Sequence, residues 1–237
     1  MRHSERDLLI SYHKLQQTVG WIALLMPVFV RLVAYFAEGI FTTNSISAYY
    51  YTDLRDVFVG SLVAGGLVLA FFRAGDPHDG WDRCAAWAAR LAGLAAVGIA
   101  LFPMDIRTGV IAFPGTLSAD SERTMVEALR SGVHGPIGYH FVFVTAFFVL
   151  TFYLVVFAFR ANTADVPTPE KLQRNKVYVG CGALMGLAFV WIGALWLSGR
   201  QASIFWPEAL AVVSFSAAWL VKGQLVLKDG TGPWRHP

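Results

Sequence analysis

Six continuous apolar stretches dominate this chain, and each has about the length that a helix needs to cross a lipid bilayer. They cover about 19–41, 54–72, 84–102, 137–159, 177–197 and 205–221. A hydrocarbon layer about 30 Å thick requires roughly 20 apolar residues per helix. The stretches do not alternate between apolar and polar residues, as the strands of a membrane barrel would. The sequence therefore predicts an all-α, polytopic membrane protein, a bundle of six transmembrane helices in the single domain 1–237.

Composition agrees with this class and argues against several functions. Apolar residues make up 56% of the chain and charged residues 15%, whereas soluble domains carry about 25% charged residues. The net charge is only +3, and no basic stripe carries interleaved aromatic residues, so the sequence does not predict nucleic-acid binding. The chain contains no nucleophile elbow, no His-Glu-x-x-His, no phosphate-binding loop and no dinucleotide fingerprint.

The distribution of Lys and Arg predicts the orientation. Six spans put both termini on one side of the membrane together with the second and fourth connections, and most Lys and Arg residues lie in these segments. The positive-inside rule therefore predicts cytoplasmic N- and C-termini, with the first, third and fifth connections on the outer side. Thr168 before Pro169 predicts the cap and first position of the helix that leads into the fifth span.

Small residues at four-residue spacing predict which spans pack closely. Gly60 and Ala64 lie in the second span, the third span is rich in alanine, and Gly182 and Gly186 lie in the fifth. Close helix packing in lipid uses such faces, so these three spans are predicted to be central, and an oligomer could form through the same faces. The fourth span is rich in phenylalanine all round and is predicted to face lipid more.

The outer connections carry the candidate polar site. The first contains three consecutive tyrosines, which suit a membrane interface, and Asp56, which either complements a helix N-terminus or has a functional role. The third connection, 104–136, is long enough to be functional. A capping-box pattern at Thr124–Glu127 predicts a short amphipathic helix on the outer surface.

Carboxylates and imidazoles from several helix ends are predicted to meet on this outer side. Their chemistry suits a divalent metal, zinc in particular, or an acid–base pair. The alternative is that they cap helices and pair with nearby arginines. The predicted metal ligands are His134, His140 and Glu208, and the predicted catalytic residues are Asp105 and Asp56.

A second set of residues is predicted to bind a ligand. Arg31 lies within the first span with Glu38 seven residues later on nearly the same face. An arginine in lipid needs an anion or water, so it forms either a structural ion pair with Glu38 or Asp56, or a site for a substrate anion. The predicted binding residues are Ser47, Tyr50, Arg55, Arg31 and Glu38.

Four segments resemble a group of bacterial six-span membrane proteins classed under domains of unknown function. The segments are SISAYYYTDLRDVFVG, GLAAVGIALFP, RNKVYVGCG and FWPEALAVVSFSAAWLVKG. The resemblance implies location in the bacterial inner (plasma) membrane, and it draws attention to Ser45, Ser47, Arg55, Asp56, His134, Glu208 and Lys222. A fainter similarity is to the alkaline ceramidase and adiponectin-receptor hydrolases, although their Ser-x-x-x-His and His-x-x-x-His motifs are missing here.

Two functions are therefore expected from the sequence. The first is binding of a membrane lipid or small amphiphile at a polar, periplasm-facing site. The alternative is a metal-dependent membrane hydrolase that acts on lipid amide or ester bonds, in which a bound ion activates water.

Overall fold

The computed structural model describes residues 2–39, 43, 45–72, 80–104, 138–161, 168–198 and 203–228, without the side chains of 2–10, 38 and 80–82. Its six long helices are α1 (Arg2–Glu38), α2 (Arg55–Ala70), α3 (Gly80–Leu101), α4 (Tyr139–Val156), α5 (Pro169–Leu197) and α6 (Phe205–Lys222). Two short 3-10 helices are η1 (Ile46–Tyr51) and η2 (Ala158–Arg160). No strand occurs within these ranges, so the all-helical prediction is confirmed for them.

Local sequence explains where two of the helices begin or end. α5 begins as predicted, because the Thr168 hydroxyl accepts a hydrogen bond from the Lys171 amide at 3.2 Å and Pro169 needs no amide partner. α1 ends before Gly39, whose φ of +66° lies in the left-handed region that glycine adopts without steric cost. α1 begins 17 residues before the predicted first span, so this helix extends well beyond the apolar stretch.

Among the described residues, four helices are long and apolar enough to cross a membrane: Ser11–Ala37, Arg83–Leu101, Tyr139–Arg160 and Pro169–Leu197. Large apolar side chains also face outward, and Phe36, Phe71, Trp196 and Leu197 are between 79% and 86% exposed. Water would not tolerate so much exposed apolar surface on a soluble monomer. The helices therefore indicate a membrane-embedded protein.

The six helices form a closed ring in which each helix packs against the next and α6 packs against α1. Side-chain contacts show that most neighbours run antiparallel. Gly20 approaches Leu220 while Arg31 approaches Phe205, so α1 and α6 point in opposite directions. We call the end where α1, α3 and α5 finish and α2, α4 and α6 begin the Glu208 end, and the opposite end the Trp219 end.

Small residues bring α2 and α3 close together at one crossing. A Cβ atom placed on Gly66 would lie 2.7 Å from the carbonyl oxygen of Gly93, which is too close for any side chain. Gly60, in contrast, is exposed and has no neighbour within 4 Å of such a position. Small residues do pack α2 against α3, but on the α2 side through Gly66, and the predicted Gly60 and Ala64 face points away from the bundle.

Burial also separates the third and fourth spans as the sequence predicts. In the most apolar stretch of α3, 56% of the residues are buried, against 22% in α4. α3 is therefore an inner helix of the described structure, whereas much of α4 is exposed. The predicted amphipathic helix in the third connection lies outside the described residues.

Candidate functional site

The Glu208 carboxylate joins α6 to the first connection. Glu208 lies in the first turn of α6 and is only 7% exposed. One of its oxygens accepts hydrogen bonds from the Ser45 hydroxyl at 2.8 Å and from the Ile46 amide at 2.7 Å. The Ser45 oxygen in turn accepts a hydrogen bond from the Ser47 amide at 3.1 Å and so caps η1. We call Glu208, Ser45 and the Ile46 amide the carboxylate clamp.

The carboxylate clamp explains how a polar group is accommodated here. Burying a carboxylate without hydrogen-bond donors is costly, and hydrogen bonds to an ionised group are among the stronger ones. The clamp supplies two donors from a segment 162 and 163 residues away along the chain. It therefore holds η1 against the start of α6.

η1 forms part of the apolar core at this end of the bundle. Ile46, Tyr49 and Tyr50 are at most 5% exposed and pack with Phe58 of α2 and Phe205 of α6. The sequence predicts a place at the membrane interface for the tyrosines, and the structure shows that Tyr49 and Tyr50 are buried inside the bundle. The described segment Ile46–Tyr50 thus folds inward over the Glu208 end.

A small cavity adjoins the carboxylate clamp. Its volume is about 40 Å³, and side chains from η1 and from all the long helices except α5 line it. Ser47 and Glu208 are its polar lining residues, and the others are apolar, among them Leu62, Phe148 and Val212. A single water needs roughly 10–15 Å³ on this measure. The cavity can therefore hold a few waters or one small chemical group.

Two further polar contacts fasten the first connection to the helices. The Arg55 guanidinium lies over the Tyr50 ring, 4.3 Å from its centroid, and donates a hydrogen bond to the Tyr50 hydroxyl. The Tyr51 hydroxyl donates to the Met104 carbonyl oxygen, just beyond the end of α3. The predicted binding residues Tyr50 and Arg55 therefore lie together.

Arg31 lies at the Glu208 end, level with the start of α6. Its guanidinium carbon is 5.0 Å from the centroid of the Phe205 ring and 5.3 Å from that of the Trp206 ring. A guanidinium over aromatic faces is stabilised by their quadrupoles. The sequence suggests a depth near mid-bilayer for Arg31, but the antiparallel packing of α1 on α6 places it beside the first residues of α6. The side chain of its predicted partner Glu38 lies outside the described residues.

His140 is held by the end of α3. Its Nδ1 atom lies 2.7 Å from the carbonyl oxygen of Phe102. Because a carbonyl oxygen only accepts, this contact requires a proton on Nδ1. Asp56 occupies the first turn of α2 and is exposed there. Asp105 and His134 lie outside the described residues.

The described residues do not by themselves form a metal site. Within the described ranges, no three His, Cys, Asp or Glu side chains lie close enough together to hold a metal ion. One oxygen of Glu208 already accepts two hydrogen bonds, and the His140 Nδ1 faces a backbone carbonyl. The zinc prediction therefore depends on Asp105 and His134.

The structure brings together Ser47 with Glu208, and Tyr50 with Arg55. It also adds Ser45 and the Ile46 amide as partners of the carboxylate; the predicted site residues include neither, although the family resemblance draws attention to Ser45. The sequence signal for Ser45 is its position as a capping residue before η1. Nothing local in the sequence indicates that its hydroxyl also meets Glu208.

No protein-family model, curated protein or solved structure matches this chain. The fold and the site therefore define only a class of protein, an all-helical membrane protein with a buried carboxylate at one end of a ring of helices. Its function must be inferred from that site.

Proposed function

We propose that this protein binds a small membrane amphiphile, a lipid or lipid-like molecule, at the Glu208 end. The observation that carries the proposal is the cavity beside the carboxylate clamp. Its wall combines two polar residues with apolar side chains, which is the arrangement that binds a polar headgroup attached to a hydrocarbon chain.

The size of the cavity indicates which part of the ligand it can hold. A volume of about 40 Å³ accommodates a small headgroup and excludes a whole lipid. Phe147 and Phe148 of α4 line the cavity and are only half-buried. In the proposed complex, the hydrocarbon chain passes these rings into the surrounding lipid, while the headgroup stays beside Glu208 and Ser47.

We further propose that all six long helices cross the bacterial inner membrane. α2 has 16 residues and α6 has 18, which correspond to about 24 and 27 Å. Both lie in the ring with the four described helices that are long and apolar enough to cross a membrane. The excess of Lys and Arg near the Trp219 end favours cytoplasmic termini and a periplasmic Glu208 end.

Cysteine labelling tests this orientation. A cysteine that replaces the exposed Asp53 should react with a membrane-impermeant maleimide on intact cells. Protection in intact cells, with reaction only after lysis, would contradict this orientation.

The test of amphiphile binding is to fill the cavity. Val212 lines it, whereas the adjacent Val213 does not, and both lie on α6. Protein purified in mild detergent should carry co-purified lipid that mass spectrometry identifies. Val212→Phe should remove most of this lipid, whereas the control Val213→Phe should retain it. Equal retention by both folded variants would contradict the proposal.

The alternative, a metal-dependent lipid hydrolase, has one supporting observation. Metal-ligating histidines commonly donate their second ring N–H to a backbone carbonyl, as His140 Nδ1 does to Phe102. Elemental analysis of purified wild-type protein, His134→Ala and His140→Ala tests it. Near-stoichiometric metal that falls in both variants would favour the hydrolase, and metal-free wild-type protein would exclude this metal site. An oligomer through the small-residue faces stays a prediction.

A further inference from the structure

The Glu208 carboxylate retains acceptor capacity beside the cavity. An ionised carboxylate offers about four lone-pair positions. The clamp provides two donors, the Ser45 hydroxyl and the Ile46 amide, and the hydroxyl proton points to one oxygen at a time. The second oxygen lies 3.0 Å from the Ser45 oxygen. The carboxylate can therefore accept additional hydrogen bonds from a group in the cavity.

The rest of the cavity wall limits what that group can be. Apart from Ser47 and Glu208, its lining is apolar. An anionic headgroup would meet a like charge in surroundings of low dielectric constant, where repulsion is strong. A neutral hydroxyl could donate one hydrogen bond, whereas a primary ammonium donates up to three and compensates the buried charge.

We infer that the bound headgroup is a primary ammonium of a single-chain amphiphile or of an aminolipid, with the Glu208 carboxylate as its counter-ion. This inference rests on the proposed function and specifies its ligand class. Ser47 lies on the same wall, and the volume of about 40 Å³ admits an aminomethyl group. The size of the cavity is therefore compatible with this headgroup, and the charge of Glu208 favours it.

Competition among three probes with the same chain tests the headgroup. Radiolabelled octylamine is bound to purified protein in mild detergent at neutral pH, and retention is measured by scintillation proximity. Unlabelled octanol should compete at concentrations at least tenfold higher than octylamine, and octanoate should not compete. Equal competition by octanol and octylamine would overturn the headgroup inference and leave amphiphile binding in place. Radiolabelled octanol and octanoate are then tested in the same way, and retention of none of the three probes by folded wild-type protein would contradict the proposed function itself.

Two variants of the cavity wall test where the ammonium group binds. Glu208→Gln keeps the shape of the side chain but removes its charge, and octylamine retention should fall at least tenfold. The control is Asp53→Asn, which removes an exposed carboxylate at the same end and should leave retention unchanged. Ser47→Ala should weaken retention severalfold without touching the carboxylate clamp, so this variant tests the site even if Glu208→Gln fails to fold. Unchanged retention in both Ser47→Ala and a folded Glu208→Gln would overturn the inference.

Discussion

Replacing Ser45 with alanine removes two hydrogen bonds at once. The hydroxyl donates to the buried Glu208 carboxylate at 2.8 Å, and its oxygen caps η1 by accepting from the Ser47 amide at 3.1 Å. A hydrogen bond to a charged group contributes about 1.5–3 kcal/mol, and a capping residue about 0.5–2 kcal/mol. The Ile46 amide remains as a donor, and the adjacent cavity has room for a water that would recover part of the loss.

We therefore expect Ser45→Ala to lower the free energy of unfolding by about 2–3 kcal/mol, near the lower end of the summed contributions. The assay is equilibrium unfolding by SDS titration in mixed micelles. Ser47→Ala is the matched control, because this variant keeps the Ser47 backbone amide and should change stability by less than about 1 kcal/mol. Equal losses in the two variants would refute this account of the clamp.

A double-mutant cycle separates the two bonds of Ser45. Glu208→Gln and Ser45→Ala should be non-additive by about 0.5–3 kcal/mol, because Ser45→Ala removes the contact between hydroxyl and carboxylate and Glu208→Gln removes the charge that strengthens it. The capping bond to Ser47 does not enter this coupling. Strict additivity would show that the hydroxyl acts through capping alone.

Two further predictions concern packing and capping. Gly66→Ala should lower the free energy of unfolding by about 1–3 kcal/mol, because its Cβ would lie 2.7 Å from the Gly93 carbonyl oxygen. The control Gly60→Ala has open space around it and should be neutral or stabilising. Equal effects of the two variants in the SDS titration would contradict this packing. Thr168→Ala should destabilise the first turn of α5 by about 0.5–2 kcal/mol of free energy. Hydrogen exchange at the Lys171 amide should therefore become faster, and an unchanged exchange rate would contradict the cap.

The sequence predicts those structural features correctly that depend on local interactions. The cap at Thr168 follows from its side chain and from the proline that comes next, and the structure contains it. The exposed position of α4 follows from its phenylalanine-rich surface, which leaves no small face for a neighbour. Local hydropathy predicted six spans, and four of the described helices are long and apolar enough to span a membrane.

The sequence does not predict which of two small-residue faces of one helix packs against a neighbour. Gly60 and Gly66 both lie in α2, and both are small enough to admit a close neighbour. Only the structure shows that Gly66 meets Gly93 while Gly60 stays exposed. The rotation of a helix about its axis depends on every neighbour, so spacing alone does not decide between such faces.

The sequence by itself determined that this chain is helical and membrane-embedded, because hydrocarbon demands helices whose backbone groups bond within one apolar segment. It also placed Glu208 at a helix start. The tertiary structure alone decided what Glu208 contacts, since its donors Ser45 and Ile46 are more than 160 residues away along the chain. Those donors reach it because the helices close into a ring, and the register of that ring is a property of the whole packed bundle.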